Sequence, residues 1–365
     1  MQMNESEIFD SVQDAIADIA AGKLVIVTDD ADRENEGDLI MAASKATPET
    51  VNMMIRYGSG IVCVPMLEAG LAPLGLGSMV ARNREVYRTD FTVTVDAREG
   101  ISTGISASDR TRTIRLLANP ASTPDDFVQP GHVFPLRARP GGVLERAGHT
   151  EAAIDLAVLA GLPPSGVLCE LVNDDGTVKR VPDLLKFKRE FGLKMISIAQ
   201  LIEHRLRFDC LVDEVSSAPF ESAFGTFQAH VFKNRLDNRH HLALVHGEVG
   251  DGPALVRVHS QNLLTDVFKD ARQATAGSID EAIAAIVKNG SGVVLCMEPA
   301  DCSAALVRRL SSGVDSGAMD LRDYGVGAQI LRQLGLQRIQ LLTNSQRRIV
   351  GLEAHGIEIE GTVGF

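Results

Sequence analysis

The sequence predicts an α+β protein built from two layered domains. Helical and strand periodicities alternate along the chain, its character changes after residue 207, and the chemically active residues of the first half gather in loops at strand ends. With 365 residues, 45% hydrophobic and 23% charged, the chain has the length for two sizeable cores and the composition of a folded globular protein.

In the first half, Val12, Ala15, Ile16, Ile19 and Ala20 recur at helical spacing, so a helix is expected over 11–21, ended by Gly22. Residues 24–27 (LVIV) read as a buried strand and 39–43 (LIMAA) as the next apolar segment. Thr47 followed by Pro48 reads as an N-cap and first helical position, opening a helix to residue 57 before a strand at 61–64. Residues 65–88, with their glycines and prolines, read as a long irregular connection of the kind used as a mobile substrate loop. A strand at 91–95 and helices at 109–118 and 151–159 follow, the last closed by Gly161. A strand at 167–172 carries Glu170 between apolar neighbours. Asp175-Gly176 turns the chain into 178–181, Pro182 opens a helix ending near Gly192, and a strand at 195–198 leads to a helix reaching 207.

The domain boundary is placed there, giving domains 1–207 and 208–365, with 209–221 read as a connector lacking helical periodicity. Beyond it strands are expected at 224–232, 242–249, 254–258, 292–297 and 339–342, and helices at 279–287 and 324–334. No internal repeat relates the two halves.

Composition narrows the function. No run of 18 apolar residues and no basic leader with an apolar core occurs, so a cytoplasmic protein without membrane insertion is expected. Five scattered cysteines suit reduced, buried thiols, and none has zinc-ligand spacing. A net charge of −12 argues against nucleic acid as a partner, while an anionic small substrate held by local arginines and backbone N–H groups stays open.

Two stretches carry chemistry. TDDADRENEGD at 28–38 crowds Asp29, Asp30, Asp32, Glu34, Glu36 and Asp38 around Arg33 between two apolar segments. Carboxylates about 4 Å apart repel by about 1 kcal/mol in water and by more near a protein surface, so such a loop suits a hard divalent ion such as magnesium. A solvated acidic turn is the competing reading. An EF-hand is a third; it fails where position twelve should be Glu and Ala43 stands. The second stretch is QPGHVFP at 129–135, followed by RAGHT at 146–150, where Gly148, His149 and Thr150 open a helix and Arg146 adds donors suited to an anion such as phosphate.

The acidic run with GHVFP, RAGHT and its EAAID helix, and Cys169-Glu170, together resemble 3,4-dihydroxy-2-butanone 4-phosphate synthase of riboflavin biosynthesis over about residues 7–206. The resemblance implies an α/β/α domain and a homodimeric enzyme that uses magnesium, with manganese as the alternative ion, to convert ribulose 5-phosphate into 3,4-dihydroxy-2-butanone 4-phosphate and formate. Glu34 and His149 would bind metal. Arg33, Glu34 and Asp38 would hold the sugar, joined by Glu170, and Arg146, Ala147, Gly148, His149 and Thr150 the phosphate end. Glu170, His132 and Glu36 would be catalytic.

The second half resembles GTP cyclohydrolase II, an α/β domain, in Arg257-Val-His-Ser260, Asp266-Val-Phe268, the run 320–331 and Leu341-Leu-Thr-Asn344. Asn262, Gln273 and Thr275 stand where that family carries its zinc cysteines, although Asp320 and Arg322 match catalytic positions. The expectation is therefore a second domain without zinc or cyclohydrolase activity. Two alternatives stand beside it: both activities kept, with His240, His241 or His259 recruiting a metal, or a regulatory nucleotide-binding module.

Overall fold

The computed structural model of the chain describes residues 8–30, 32–250, 252–270, 278–300, 306–307, 310–311, 321–344, 352 and 356–365. The chain divides into two compact units, Met1–His204 and Arg205–Phe365. The helix Ile198–Phe208 runs across that division, so the change of sequence character at its end falls a few residues later.

The first unit is a mixed sheet between two helical layers. Its strands are β1 (Val25–Thr28), β2 (Gly37–Ala42), β3 (Cys63–Met66), β4 (Asp90–Phe91), β5 (Val95–Ala97), β6 (Phe127–Arg137), β7 (Gly166–Glu170) and β8 (Lys194–Ser197), ordered β4-β6-β3-β7-β2-β1-β8 with β5 on β6. One core places Ile26, Leu39, Met41 and Val64 against helices α2 (Pro48–Tyr57) and α3 (Ala107–Leu117) and the later helix Val181–Phe191. The other places Val25, Val27, Ile40 and Leu168 against α1 (Val12–Ala20), α4 (His149–Leu159) and the helix Ile198–Phe208. Strands β1 and β2 are buried along their whole length, which is why they read as unbroken apolar runs; each fully buried Ile or Leu contributes about 1.5–3 kcal/mol. The expected cap is present at Thr47, whose side chain accepts from the Thr50 N–H, and Ser11, read as the first residue of its helix, caps it instead by accepting from the Asp14 N–H.

Two glycines set the helix distances around the site. A Cβ on Gly37 would lie 2.5 Å from Leu184 Cδ1, and one on Gly166 would lie 2.6 Å from Ala153 Cβ.

The second unit is a mixed sheet of β9 (Val212–Ser222), β10 (Gly225–Asn234), β11 (His240–His246), β12 (Ala254–Ser260), β13 (Gly292–Met297), β14 (Arg338–Leu342) and β15 (Glu358–Val363), ordered β15-β14-β12-β13-β11-β10-β9. The helix Ile279–Asn289 covers one face, and Val326, Ala328, Ile330 and Leu331 of the helix Leu321–Gln333 cover the other.

Several elements depart from the sequence reading. The connector at 209–221 is largely β9, an edge strand with Glu214 to Glu221 exposed, so no apolar alternation marks it. The strand at 91–95 is two short strands: the N–H and Oγ1 of Thr92 both donate to the Pro135 carbonyl at 3.0 Å, and β4 and β5 pair with different parts of β6. The connection at 65–88 begins with the end of β3, a helical turn at Glu68–Leu71 and a 3-10 turn at Ala72–Leu74. Strand β15 had no counterpart in the reading. Gln273, Thr275 and Asp320 lie outside the described residues, as does the side chain of Arg322.

Candidate active site and metal centre

The acidic loop is folded by its own first carboxylate. Asp29 accepts from the Glu34 N–H through Oδ2 and from the Glu36 N–H through Oδ1, each at 2.9 Å, and Arg33 donates to Oδ2 at 2.9 Å. Arg33 also binds Glu34, and the Arg180 guanidinium closes on the Glu34 and Asn35 carbonyls, where Asn35 has a left-handed φ of 53°. Glu36 and Asp38 are delivered to the entrance of β2, with Asp38 only 2% exposed in an otherwise apolar strand.

His149, the first residue of α4, meets this loop from above the sheet. Its Nε2 contacts the Val27 carbonyl at 3.2 Å, and its Nδ1 stands 3.8 Å from Glu34 Oε2 and 3.9 Å from Asp38 Oδ2. One ligand atom apiece of Asp29, Glu34 and His149, and likewise of Glu36, Asp38 and His149, lies within 4.8 Å of the others. Burial lowers the basicity of His149, but the Asp38 and Glu34 carboxylates outweigh it and raise its pKa to about 9. Burial pushes the Asp38 carboxyl well above the usual range, and Glu170, Glu36 and Glu34 add to that against the pull of His149. Burial, then Glu34, also raises Glu36. For Glu34, burial is outweighed by His149 and Arg33, and its pKa falls.

Asp38 Oδ1 is buried and has no hydrogen-bond partner among the described residues. An orphaned carboxylate oxygen amid oxygen donors and one imidazole fits a hard divalent cation, which would offset the mutual repulsion.

Glu170 ends β7 directly opposite Asp38, and Ser59 donates to its Oε2 at 2.7 Å. His132 lies on β6. Phe134, Cys63 and Leu168 occupy one row across β6, β3 and β7 and pack in one core, so two residues further on, His132 takes the same face and end as Glu170, two strand spacings or about 10 Å away. Asp96 orients it: its Oδ2 lies 2.6 Å from His132 Nδ1 and its Oδ1 accepts the His132 N–H at 2.9 Å. Sequence reasoning missed Ser59 and Asp96, because their contacts with Glu170 and His132 span 111 and 36 residues.

Gly148, His149 and Thr150 form the mouth of α4 as expected, with Ala147 exposed beside them. Arg146 is turned to its neighbours: Nη1 meets Glu151 Oε2 at 2.5 Å, Nε donates to the Tyr87 carbonyl at 3.0 Å and Nη2 to Thr89 Oγ1 at 2.8 Å. Holding a phosphate would require it to exchange partners.

Residues 13–204 match the family 3,4-dihydroxy-2-butanone 4-phosphate synthase. The chain belongs to this family. Residues 213–364 match GTP cyclohydrolase II, so a synthase unit is joined to a cyclohydrolase II unit in one chain. The "Probable bifunctional riboflavin biosynthesis protein RIBA 1, chloroplastic" of Oryza sativa subsp. japonica is 47% identical over 98% of this chain and 70% of its own length. The crystal structure of RibBX, a two-domain 3,4-dihydroxy-2-butanone 4-phosphate synthase from A. baumannii, is similar with a TM-score of 0.76 and 38% identity over 98% of this chain and all of that one. A 3,4-dihydroxy-2-butanone 4-phosphate synthase in complex with two magnesium ions is similar with a TM-score of 0.54 and 40% identity over 55% of this chain and 99% of that one.

These findings overturn the expectation of a second unit without cyclohydrolase activity. That expectation rested on Asn262, Gln273 and Thr275, whereas the match to GTP cyclohydrolase II spans the whole unit and the rice relative is named bifunctional. Three side chains decide whether a thiolate site forms; they do not decide what the rest of the unit does. Asn262 caps the short helix Leu263–Asp266, and His259 Nε2 pairs with Asp266 Oδ2 at 2.9 Å at the end of β12. His241 is wholly buried, while His240 is exposed. These side chains do not fit a thiolate zinc site.

Proposed function

We propose that the chain is a bifunctional enzyme of riboflavin biosynthesis, with the first unit converting ribulose 5-phosphate into 3,4-dihydroxy-2-butanone 4-phosphate and formate and the second acting on GTP. The observation that carries the first reading is the pair of ligand triplets sharing His149 at the end of the sheet. The second rests on the similarity of residues 213–364 to GTP cyclohydrolase II and on the bifunctional rice relative.

Magnesium, or manganese in its place, would be held by Glu34 and His149, joined by Asp29, Glu36 and Asp38, and would polarise the substrate's carbonyl and hydroxyl oxygens. The chain's own groups then supply proton traffic. Products and substrate balance in atoms without an oxidant or reductant, so enolisation, loss of a hydroxyl, skeletal migration and formate release call for acids and bases at several carbons. Glu170, steadied by Ser59, is the proton-transfer group at the sheet end. His132 donates Nδ1–H to Asp96 and keeps Nε2 as its basic nitrogen, and Glu36, its affinity for protons raised by burial, is a third group able to carry a proton. Arg33 and Asp38 face the sugar, and the mouth of α4 with Arg146 takes the phosphate. The enzyme would work as a cytoplasmic homodimer; among the described residues no helix is long and apolar enough to cross a membrane.

Formate release measured separately from ribulose 5-phosphate and from GTP, with zinc content, tests both halves. Formate from each substrate supports the bifunctional reading. Formate from the sugar phosphate alone removes the second activity, and formate from GTP alone removes the first.

A further inference from the structure

The segment after β3 makes contacts that the chemistry above does not use. Between Asn83 and Thr89 the chain is braced by its own side chains: Asn83 Oδ1 accepts from the Glu85 N–H at 2.9 Å, and Asn83 Nδ2 donates to the Thr89 carbonyl at 2.8 Å. Glu85 accepts the N–H groups of Tyr87 at 3.0 Å and Thr89 at 2.7 Å. What this braced turn presents is Tyr87.

Tyr87 makes three contacts with two arginines from distant parts of the chain. Its ring lies 4.8 Å from the Arg33 guanidinium, its hydroxyl donates to the Arg33 carbonyl at 2.8 Å, and its own carbonyl accepts from Arg146 Nε at 3.0 Å. Arg33 in turn grips Asp29 and Glu34, which belong to one ligand triplet, while Arg146 binds Glu151 in the first turn of the helix that begins with His149. Tyr87 thus ties the acidic loop to the mouth of α4, its side chain holding Arg33 and its main-chain carbonyl holding Arg146.

We propose that Tyr87 is a positioning residue for the synthase reaction, a strap whose side chain fixes Arg33 at the sugar end while its carbonyl keeps Arg146 beside the mouth of α4 until the phosphate takes that partner's place. The proposal rests on the synthase reading above. It locates the action in Arg33 and Arg146, because Tyr87 touches none of the metal-ligand side chains. A cation over an aromatic face and a hydroxyl on a backbone carbonyl are separable contributions, and two substitutions separate them.

Tyr87→Ala, Tyr87→Phe and the exposed control Val86→Ala are compared in the full chain with magnesium. Expected for Tyr87→Ala is a rise in KM for ribulose 5-phosphate of about tenfold, with a smaller fall in kcat and unchanged manganese affinity; Tyr87→Phe recovers about half of the loss through the ring, and Val86→Ala matches the parent. Hydrogen exchange gives the second readout. Loss of the strap speeds exchange both in 78–90 and in 32–38, whereas a merely local role speeds it in 78–90 alone. Unchanged KM in Tyr87→Ala, or exchange confined to 78–90, overturns the proposal. If the parent fails to turn over ribulose 5-phosphate, the synthase reading fails, and the exchange comparison still decides whether Tyr87 couples the two segments.

Discussion

His149 stands with its Nε2 3.2 Å from the carbonyl of Val27, a group that can only accept, so Nε2 carries hydrogen and Nδ1 is the nitrogen turned toward Glu34 and Asp38. A backbone carbonyl that fixes the tautomer of a histidine is the arrangement by which metal-ligating imidazoles are oriented. The strand and the helix that make the contact are both buried, so the orientation is built into the fold.

Metal binding at this position must displace a proton. Without a cation the neighbouring carboxylates hold His149 protonated up to about 9. Divalent-ion affinity should therefore rise with pH by about tenfold per unit between 7 and 8.5 and level off above about 9. Manganese titration followed by electron paramagnetic resonance checks this, and His149→Ala should abolish the binding. Affinity independent of pH would remove His149 from the metal site.

Asp29 acts first on the loop. It caps the Glu34 and Glu36 amides, so Asp29→Ala leaves two N–H groups without partners and should cost about 1–3 kcal/mol locally, with manganese affinity reduced at least about tenfold. Asp29→Asn, which keeps an acceptor oxygen, should retain more of the loop. Equal manganese affinity in the two variants would show that the caps do not shape the site.

Ser59 steadies Glu170 from outside the sheet. Ser59→Ala should lower kcat by about 3- to 30-fold while leaving KM for ribulose 5-phosphate within about twofold, as expected when a proton-transfer group loses orientation and substrate contacts persist. A change confined to KM would move Glu170 from proton transfer to binding.

His241 makes the second unit sensitive to acid. Burial, reinforced by Arg239, lowers its pKa to about 4, its Nδ1 accepts from the Glu298 N–H, and its Nε2 has no partner among the described residues. Above about 6.5 both folded and unfolded states hold it neutral. As pH falls from about 6.5 to 4 the unfolded chain binds a proton that the folded chain refuses, so stability drops by about 1.4 kcal/mol per unit and then levels off. Hydrogen exchange of β11 amides at pH 7, 6 and 5 should show this loss in the parent and not in His241→Gln. Equal slopes would contradict it.

Much of this was legible in the sequence, for identifiable reasons. The layers, the cap at Thr47 and the mouth of α4 follow from local periodicity and capping chemistry, which act within a few residues. Glu34 and Asp38 stood out because carboxylates crowd one arginine, His149 because it stands at a helix mouth beside Arg146, and Glu170 because it interrupts an apolar strand. Ser59, Asp96 and Tyr87 did not, since each acts on a partner 36 to 111 residues away. The exposed strand β9 was missed because neither of its faces carries an alternating pattern. The second unit was misjudged from three positions because the absence of ligands is a weaker signal than similarity along a whole domain.

The most direct test of the synthase site is formate release from ribulose 5-phosphate by the purified chain, with magnesium, after chelation, and with Glu34→Gln. The account predicts formate with magnesium, none after chelation until magnesium is restored, and at least a hundredfold loss in Glu34→Gln. Undiminished formate release in the chelated protein or in Glu34→Gln would contradict it.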